Sequence, residues 1–322
     1  MRGCSHLCLV AALSAACGPS SSADDDDDGP GTDGGTGADA FEWPDPNEFA
    51  DAAPQEVCDK MDIMFVIDNS GSMSEEQGNL ATNFPLFVNV LDSFVSEGGA
   101  PIDYRLALTS TGVSKSWTIE PIPGFPIPET QAGDDGAMLQ RCTMTRRWFE
   151  KGDPDVATTF GCAAALGTDG PASEMPMAAM KMAFDERMVD GTNQGFRRED
   201  ALLAIVVLTD ENDCSREDDG FTLGFAEDVC TAVEPAATYK QFLDTYSGGA
   251  GRWAIAVIAG PGPGACSSTF GSADESTRLI ELAGMAGANG VVSSICEGDL
   301  ASALGQALST FDTACDELPP IE

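Results

Sequence analysis

Between Asp62 and Cys315 the chain alternates short, unbroken apolar runs with longer stretches whose apolar residues recur every three or four positions. The runs Ile63 to Ile67, Tyr104 to Thr109, Leu202 to Leu208, Trp253 to Ala259 and Val291 to Ile295 are apolar at most positions, which predicts strands buried on both faces. Each is far shorter than the ~20 residues that a membrane-spanning helix needs. Leu80, Phe84, Phe87, Leu91 and Phe94 step by four and three and lay one apolar stripe along a helix, with Pro85 predicted to kink it. Leu300, Leu304, Leu308 and Phe311 repeat the stripe in a last helix, and Pro176 to Phe184 and Thr277 to Ala288 supply two more. Strands and helices alternating in about five or six units predict a doubly wound α/β fold, a mostly parallel central sheet with helices on both faces.

Polar residues interrupt this pattern most sharply after the first run. Ile67 is followed by Asp68-Asn69-Ser70-Gly71-Ser72, one carboxylate and two hydroxyls at alternate positions ahead of a helix. Oxygen-only donors select hard cations, Mg²⁺, Mn²⁺ or Ca²⁺, and so few charges leave such a cation able to accept an outside carboxylate. In open α/β sheets ligands sit beyond the carboxyl ends of the strands, and the run Leu202 to Leu208 leads directly into Thr209-Asp210-Glu211-Asn212-Asp213. Asp210 therefore emerges where a second metal carboxylate is needed.

The pattern Asp68-x-Ser70-x-Ser72 behind an apolar strand, with Asp210 at a second strand end, resembles the metal-ion-dependent adhesion site of von Willebrand factor type A domains. The resemblance implies a Rossmann-like sheet, one divalent cation, and a protein partner whose Asp or Glu completes the coordination. It also implies a threonine from an intervening loop. Thr168, in Gly167-Thr168-Asp169-Gly170, fills that place, although the stretch Asp169 to Met175 makes the loop longer than the family's, which leaves Ser173 and Glu174 as alternative donors. Within the resemblance, Ser70, Ser72 and Thr168 coordinate directly while Asp68 and Asp210 act partly through water. Asp213, Asp218 and Asp219 read as a solvated acidic loop.

The only histidine is His6, so histidine-based triads, HExxH metalloproteases and histidine zinc sites are not expected of the rest of the chain. Neither a GxxxxGK[ST] loop nor a GxGxxG fingerprint occurs, which argues against a nucleotide ligand. With 53 acidic against 16 basic residues, nucleic acid and anionic lipid would be repelled. A non-enzymatic role is the expectation; a metal-dependent hydrolase using Glu76, Glu174 or Glu211 as base, and a structural envelope protein whose metal only stabilises the fold, are the alternatives.

At the amino end Arg2, the apolar stretch Leu7 to Leu13 and the small residues Ser14 to Ala16 read as an export signal over residues 1–16. With Cys17 at the cut it resembles a bacterial lipoprotein signal, in which Cys17 is lipidated. Leu13 stands four residues before Cys17 rather than three, which leaves ordinary cleavage near Ala16 as the other route. Residues 17–57, with the run Asp24 to Asp28, read as an acidic disordered tether. The expected folded domain is 58–317, with 318–322 as a tail, exported and lipid-anchored in the cell envelope, outer membrane or surface favoured. The lipid anchor would be its only contact with membrane.

The folded region holds eight cysteines, an even number that in an exported domain implies disulfides. Sequence leaves the pairing open. Cys58 with Cys315 would clasp the ends of the domain, and Cys142 with Cys162, Cys214 with Cys230 and Cys266 with Cys296 would each pin an insertion. The first insertion, Gly112 to Gly161, carries Trp117, Pro121, Pro123, Phe125, Pro126, Trp148 and Phe149, either a surface for selecting a partner or an apolar cluster under a long loop.

Overall fold

A computed structural model describes residues 58–320, except 97, 98, 225 and 299. Internal contacts divide the chain into residues 1–53 and 54–322, and every described residue belongs to the second unit. The export signal, Cys17 and the acidic run Asp24 to Asp28 lie outside the described residues.

The central sheet is built on β1 (Lys60–Ile67), which pairs in parallel with β2 (Asp103–Ser110) on one side and with a strand at Leu202–Leu208 on the other. In chain order, α1 (Ser74–Ser93) lies between β1 and β2; β3 (Lys115–Glu120), β4 (Ile127–Gln131), β5 (Trp148–Glu150), α2 (Val156–Ala164), α3 (Pro176–Phe184) and α4 (Glu186–Val189) follow, and the Leu202–Leu208 strand is β6. Then come β7 (Phe221–Gly224), α5 (Ala236–Ser247), β8 (Trp253–Ala259), β9 (Cys266–Ser268), β10 (Gly271–Ala273), α6 (Thr277–Met285), β11 (Gly290–Ser294) and α7 (Leu300–Asp316). The sheet order is β11-β8-β6-β1-β2-β5, parallel except for the short edge strand β5, which runs antiparallel to β2.

Strand alternation explains why the predicted runs are apolar throughout. Ile63, Phe65 and Ile67 point into a core closed by α1, α2 and α7, while Met64 and Val66 point into a second core closed by α3, α5 and α6. Each face therefore requires its own apolar set, and a polar residue on either would be stranded. Phe65 anchors the first core, its ring edge-on to Phe84, Phe87 and Phe160 at centroid distances of 5.5, 5.4 and 5.1 Å.

The α1 helix runs through Pro85 without a break from Ser74 to Ser93. Gly161 of α2 abuts that proline: a Cβ at 161 would come within 2.8 Å of the Pro85 ring. The helix α5, unannounced by a long apolar stripe, supplies the crossover that the parallel pairing of β6 with β8 requires. The insertions also hold regular structure. β3 pairs antiparallel with β4 and in parallel with β7, so segments more than a hundred residues apart form one three-stranded sheet. A hairpin of β9 and β10 forms a further small sheet.

Four disulfides join Cys58–Cys315, Cys142–Cys162, Cys214–Cys230 and Cys266–Cys296. The end of the chain continues the domain rather than leaving it as a tail at once: Leu318 packs on the first core and the Pro319 carbonyl accepts from the Arg252 guanidinium. Among the described residues no helix is long and apolar enough to cross a membrane.

Candidate metal centre

β1 and β6 are adjacent, and both stop at the same end of the sheet. The Asp68 amide donates to Leu208 O at 2.9 Å and the Thr209 amide to Ile258 O at 3.2 Å, so the last rungs of the ladder deliver Asp68 and Asp210 side by side beyond the carboxyl edge. Between them stand the two serines. Ser70 Oγ and Ser72 Oγ are 2.8 Å apart, and Ser72 Oγ donates to Asp210 Oδ1 at 3.2 Å. The structure thus brings Asp68, Ser70, Ser72 and Asp210 into one oxygen cluster.

Asp68 forms its floor. It is 0 % exposed, and its carboxylate accepts from the Ser70 amide at 2.8 Å and from Thr209 Oγ1 at 2.6 Å. Gln77 of α1 donates to the Asp68 carbonyl at 2.9 Å and fixes the backbone turn. Ser72 is exposed, so the cluster opens to solvent on that side. Thr209 and Gln77 are functional neighbours that the sequence reading passed over: their roles depend on the β1–β6 pairing and on the first turn of α1.

Thr168 lies half-buried in the loop after α2. That loop docks on the metal loop, since the Gly170 amide donates to Asn69 O at 2.7 Å. A Cβ at residue 170 would fall 2.2 Å from Asn69 Oδ1, closer than atoms approach, so this contact requires glycine. Gly170→Ala should therefore lift the loop away from Asn69 and weaken cation binding several-fold while leaving the unfolding midpoint nearly unchanged; equal affinity in calorimetric titration would show that the loop contributes no donor. Ser173 turns its carbonyl to Gln131 Nε2 at 3.1 Å, toward the first insertion. Glu174 is 1 % exposed, and both of its carboxylate oxygens are buried without a donor.

Whether these oxygens suit a cation can be judged by comparison with the protein's other buried acids. Asp62, at the opposite end of β1, is met by Arg198 Nε at 2.8 Å and by Arg197 Nη1 at 3.4 Å. Asp213 is met by Arg278 at 3.1 Å. Among the described residues no such basic partner stands by Asp68, Glu174 or Asp210. Burial raises all three above the ordinary carboxylate range, and the charges that raise them further are other carboxylates. Asp210 is pushed up to about 7, by burial first and then by the charge of Asp68. Glu174 is raised by burial, then by the adjacent Glu211 carboxyl and by Asp68. Buried, uncompensated oxygens of this kind fit a hard divalent cation. Among the described residues no three His, Cys, Asp or Glu side chains converge on one point, so hydroxyls, carbonyls and water would complete any coordination sphere here.

These shifts set a pH dependence. A carboxyl raised in the folded state stabilises the fold below its unfolded value, and that stability is lost as pH rises through the folded value. For Asp210 the window runs from 3.8 to about 7. Chelated protein should accordingly melt lower at pH 8 than at pH 5, and saturating Mg²⁺ should restore much of the loss at pH 8. Asp62 and Asp213 shift in the same direction, so the cation-sensitive part of the slope is the part that reports on this centre. A slope unaltered by cation would contradict the assignment.

One expectation from sequence is corrected. Asp213 is no solvated loop residue: it is buried, accepts from the Met177 amide at 3.0 Å and from Ser215 Oγ at 2.5 Å, and caps the start of α3. Its neighbours Asp218 and Asp219 are exposed, bonded to Arg216 and Ser116 respectively. The aromatic residues of the first insertion also divide. Phe149 belongs to the first core, Trp148 packs against the second, and Trp117 stacks on Phe221 at 5.9 Å, with the Arg216 guanidinium over the Phe221 ring at 3.3 Å. What remains exposed is the tip between β3 and β4, with Phe125 at 69 % beside Ile122 and Ile127.

A scan of protein-family models finds no match to the chain, and a search of curated proteins finds none either. Among solved structures the chain is similar to proximal thread matrix protein 1 from the mussel byssus, at 12 % identity over 80 % of this chain and 47 % of that one, TM-score 0.38. The same mussel protein with a zinc-occupied MIDAS motif matches at 11 % identity over 80 % of this chain and 46 % of that one, TM-score 0.38. The human COPII-coat protein Sec24c matches at 11 % over 81 % and 34 % of the two chains, TM-score 0.38, and the pilus adhesin RrgA from Streptococcus pneumoniae at 13 % over 48 % and 21 %, TM-score 0.27. These are distant resemblances, and the chain spans about half the length of the mussel protein.

Proposed function

We propose that this protein is a divalent-metal-dependent protein-binding module, an adhesion or scaffold domain of the von Willebrand factor type A kind. The observation that carries the reading is the cluster of Asp68, Ser70, Ser72 and Asp210, held by two adjacent strand ends and, among the described residues, without a basic partner. Asp68 and Asp210 supply charge, Ser70 and Ser72 supply neutral oxygen, and Thr168 is the loop donor. The bound cation would be Mg²⁺, Mn²⁺ or Ca²⁺, and its role is to attract an outside oxygen donor. A partner's Asp or Glu fits that role, because one cation among hydroxyls stays under-neutralised on its open side. The exposed tip at Phe125 offers a separate apolar contact area.

Four disulfides support a life in an oxidising compartment, in keeping with export by residues 1–16 and lipid anchoring at Cys17. The role is binding rather than catalysis. Titrating Mg²⁺, Mn²⁺ and Ca²⁺ calorimetrically into chelator-treated, oxidised protein tests the first half of the proposal, and chelator-sensitive retention of envelope proteins on the immobilised chain tests the second. Absence of cation binding would overturn it. Cation binding with no chelator-sensitive partner would favour a structural envelope protein instead.

A further inference from the structure

Charge is shared unevenly between the two layers of helices. Each helix over the second core carries some: Lys181 on α3, Lys240 and Asp244 on α5, Arg278 and Glu281 on α6. The helices over the first core carry none along most of their length: α2 throughout, α1 from Gln77 to Leu91, and α7 from Leu300 to Phe311. In a chain with 53 acidic and 16 basic residues, the outward faces of helices are where charge should collect. It returns only at the margins, with Glu75 and Asp92 at the two ends of α1 and Asp312 and Asp316 toward the end of α7.

The same face is apolar as well as uncharged. Leu86 and Val90, one turn apart on α1, are 50 % and 51 % exposed. They form one wall of a groove whose other wall is Ala301, Gly305 and Leu308 of α7. Asn79 Nδ2 donates to Gly298 O at 2.8 Å and joins the first turns of α1 to the entry of α7, which sets the two helices side by side. A Cβ at residue 305 would meet nothing within 4 Å, so the groove is open above that glycine. Thr82 and Asn89, also exposed on α1, are neutral. An exposed apolar patch of this kind, rimmed by polar residues, marks an interaction surface.

We propose that this face pairs with the same face of a second copy of the chain, Leu86 and Val90 of each copy seating against Ala301 and Gly305 of the other about a two-fold axis. Charge selects the occupant. A foreign partner drawn to so acidic a chain would be recognised through opposite charge, and this face offers none. A second copy is itself strongly acidic, at a formal charge of −37, and can approach with least repulsion where both surfaces are neutral. A two-fold contact also needs only one self-complementary patch. The area is of the right order: α1 has 20 residues and runs about 30 Å, and with α7 packed ~10 Å away the flat projection is on the order of 600 Å², near the ~800 Å² that each side of a stable interface buries.

The test is sedimentation velocity on the oxidised full-length chain, with chelator present throughout so that the outcome does not depend on the metal centre. The expected result is a dimer that tightens as NaCl is raised to about 0.5 M, because screening within a few ångströms removes the repulsion between like-charged chains. Val90→Glu and Gly305→Glu should each weaken it at least about tenfold, while Gln241→Glu, which adds the same charge on the exposed side of α5, should leave it unchanged. Both interface positions face solvent in the single chain, so thermal melts of the dilute variants should match the wild type; Gly305→Glu serves alone if Val90→Glu fails to fold. A wild type that stays monomeric at high salt would overturn the proposal and leave the face to a different protein. A dimer that survives both glutamate variants, or one that dissociates as salt rises, would also overturn it, as would an open series of larger oligomers, which two-fold pairing does not form.

Discussion

Asp68→Ala should abolish cation binding, weakening it by at least about a hundredfold, roughly 2.7 kcal/mol or more, while the chelated protein unfolds at a midpoint close to that of the wild type. The alanine removes a carboxylate that no cationic side chain neutralises, so the lost hydrogen bonds from Ser70 and Thr209 are offset by relief of a buried charge. Asp62→Ala, near the opposite end of the same strand, should do the reverse. It takes the buried carboxylate from both arginines, leaving Arg197 without an ion-pair partner while Arg198 keeps Asp103, costing about 3 kcal/mol of stability, and leaves cation affinity alone. Calorimetric titration and a urea melt of the two variants read both effects. Global unfolding of Asp68→Ala would make Asp68 a structural residue and not a ligand.

Breaking the Cys58–Cys315 bridge should be the most destabilising single covalent change. The bridge closes a sequence separation of 257 residues, for which loop-closure entropy predicts about 5 kcal/mol, against about 3 kcal/mol for the separation of 16 between Cys214 and Cys230. The double variant Cys58→Ser with Cys315→Ser should shift the urea midpoint accordingly, and further than loss of Cys214–Cys230. Equal shifts would mean that the unfolded chain is already compact. The same variant bears on function, since Cys315 ends α7, which packs on the core beneath the metal face. Freed at that end, α7 would respond more readily to a partner bound at Asp68.

What sequence reveals here follows burial. Leu202–Leu208 and Trp253–Ala259 are legible to the residue because every position faces a core, whereas β1 begins before Ile63, at Lys60, and β2 extends past both ends of the apolar run, to Asp103 and Ser110. β3 and β4 escape notice because their residues are half-exposed or exposed, so their order comes from pairing, β4 on β3 and β3 on β7, and not from any pattern along the chain. The ligand candidates Asp68 and Asp210 are legible as acids that end apolar runs. Asp213 is not, since its ion pair with Arg278 spans 65 residues and its sequence neighbours are acidic. Glu174 is the sharpest case: only the fold shows that its carboxylate is enclosed and unmet.

The Cys58–Cys315 bridge also determines how the domain would bear a load. A pull applied between the chain before Cys58 and the chain after Cys315 passes through the bridge without crossing the sheet, so the loop it closes, a sequence separation of 257, is shielded from tension. With the bridge intact the domain hardly lengthens; once reduced, the same stretch of chain could pay out to roughly 900 Å at ~3.5 Å per residue. A domain so closed acts as an inextensible link between the chain before Cys58 and the chain after Cys315.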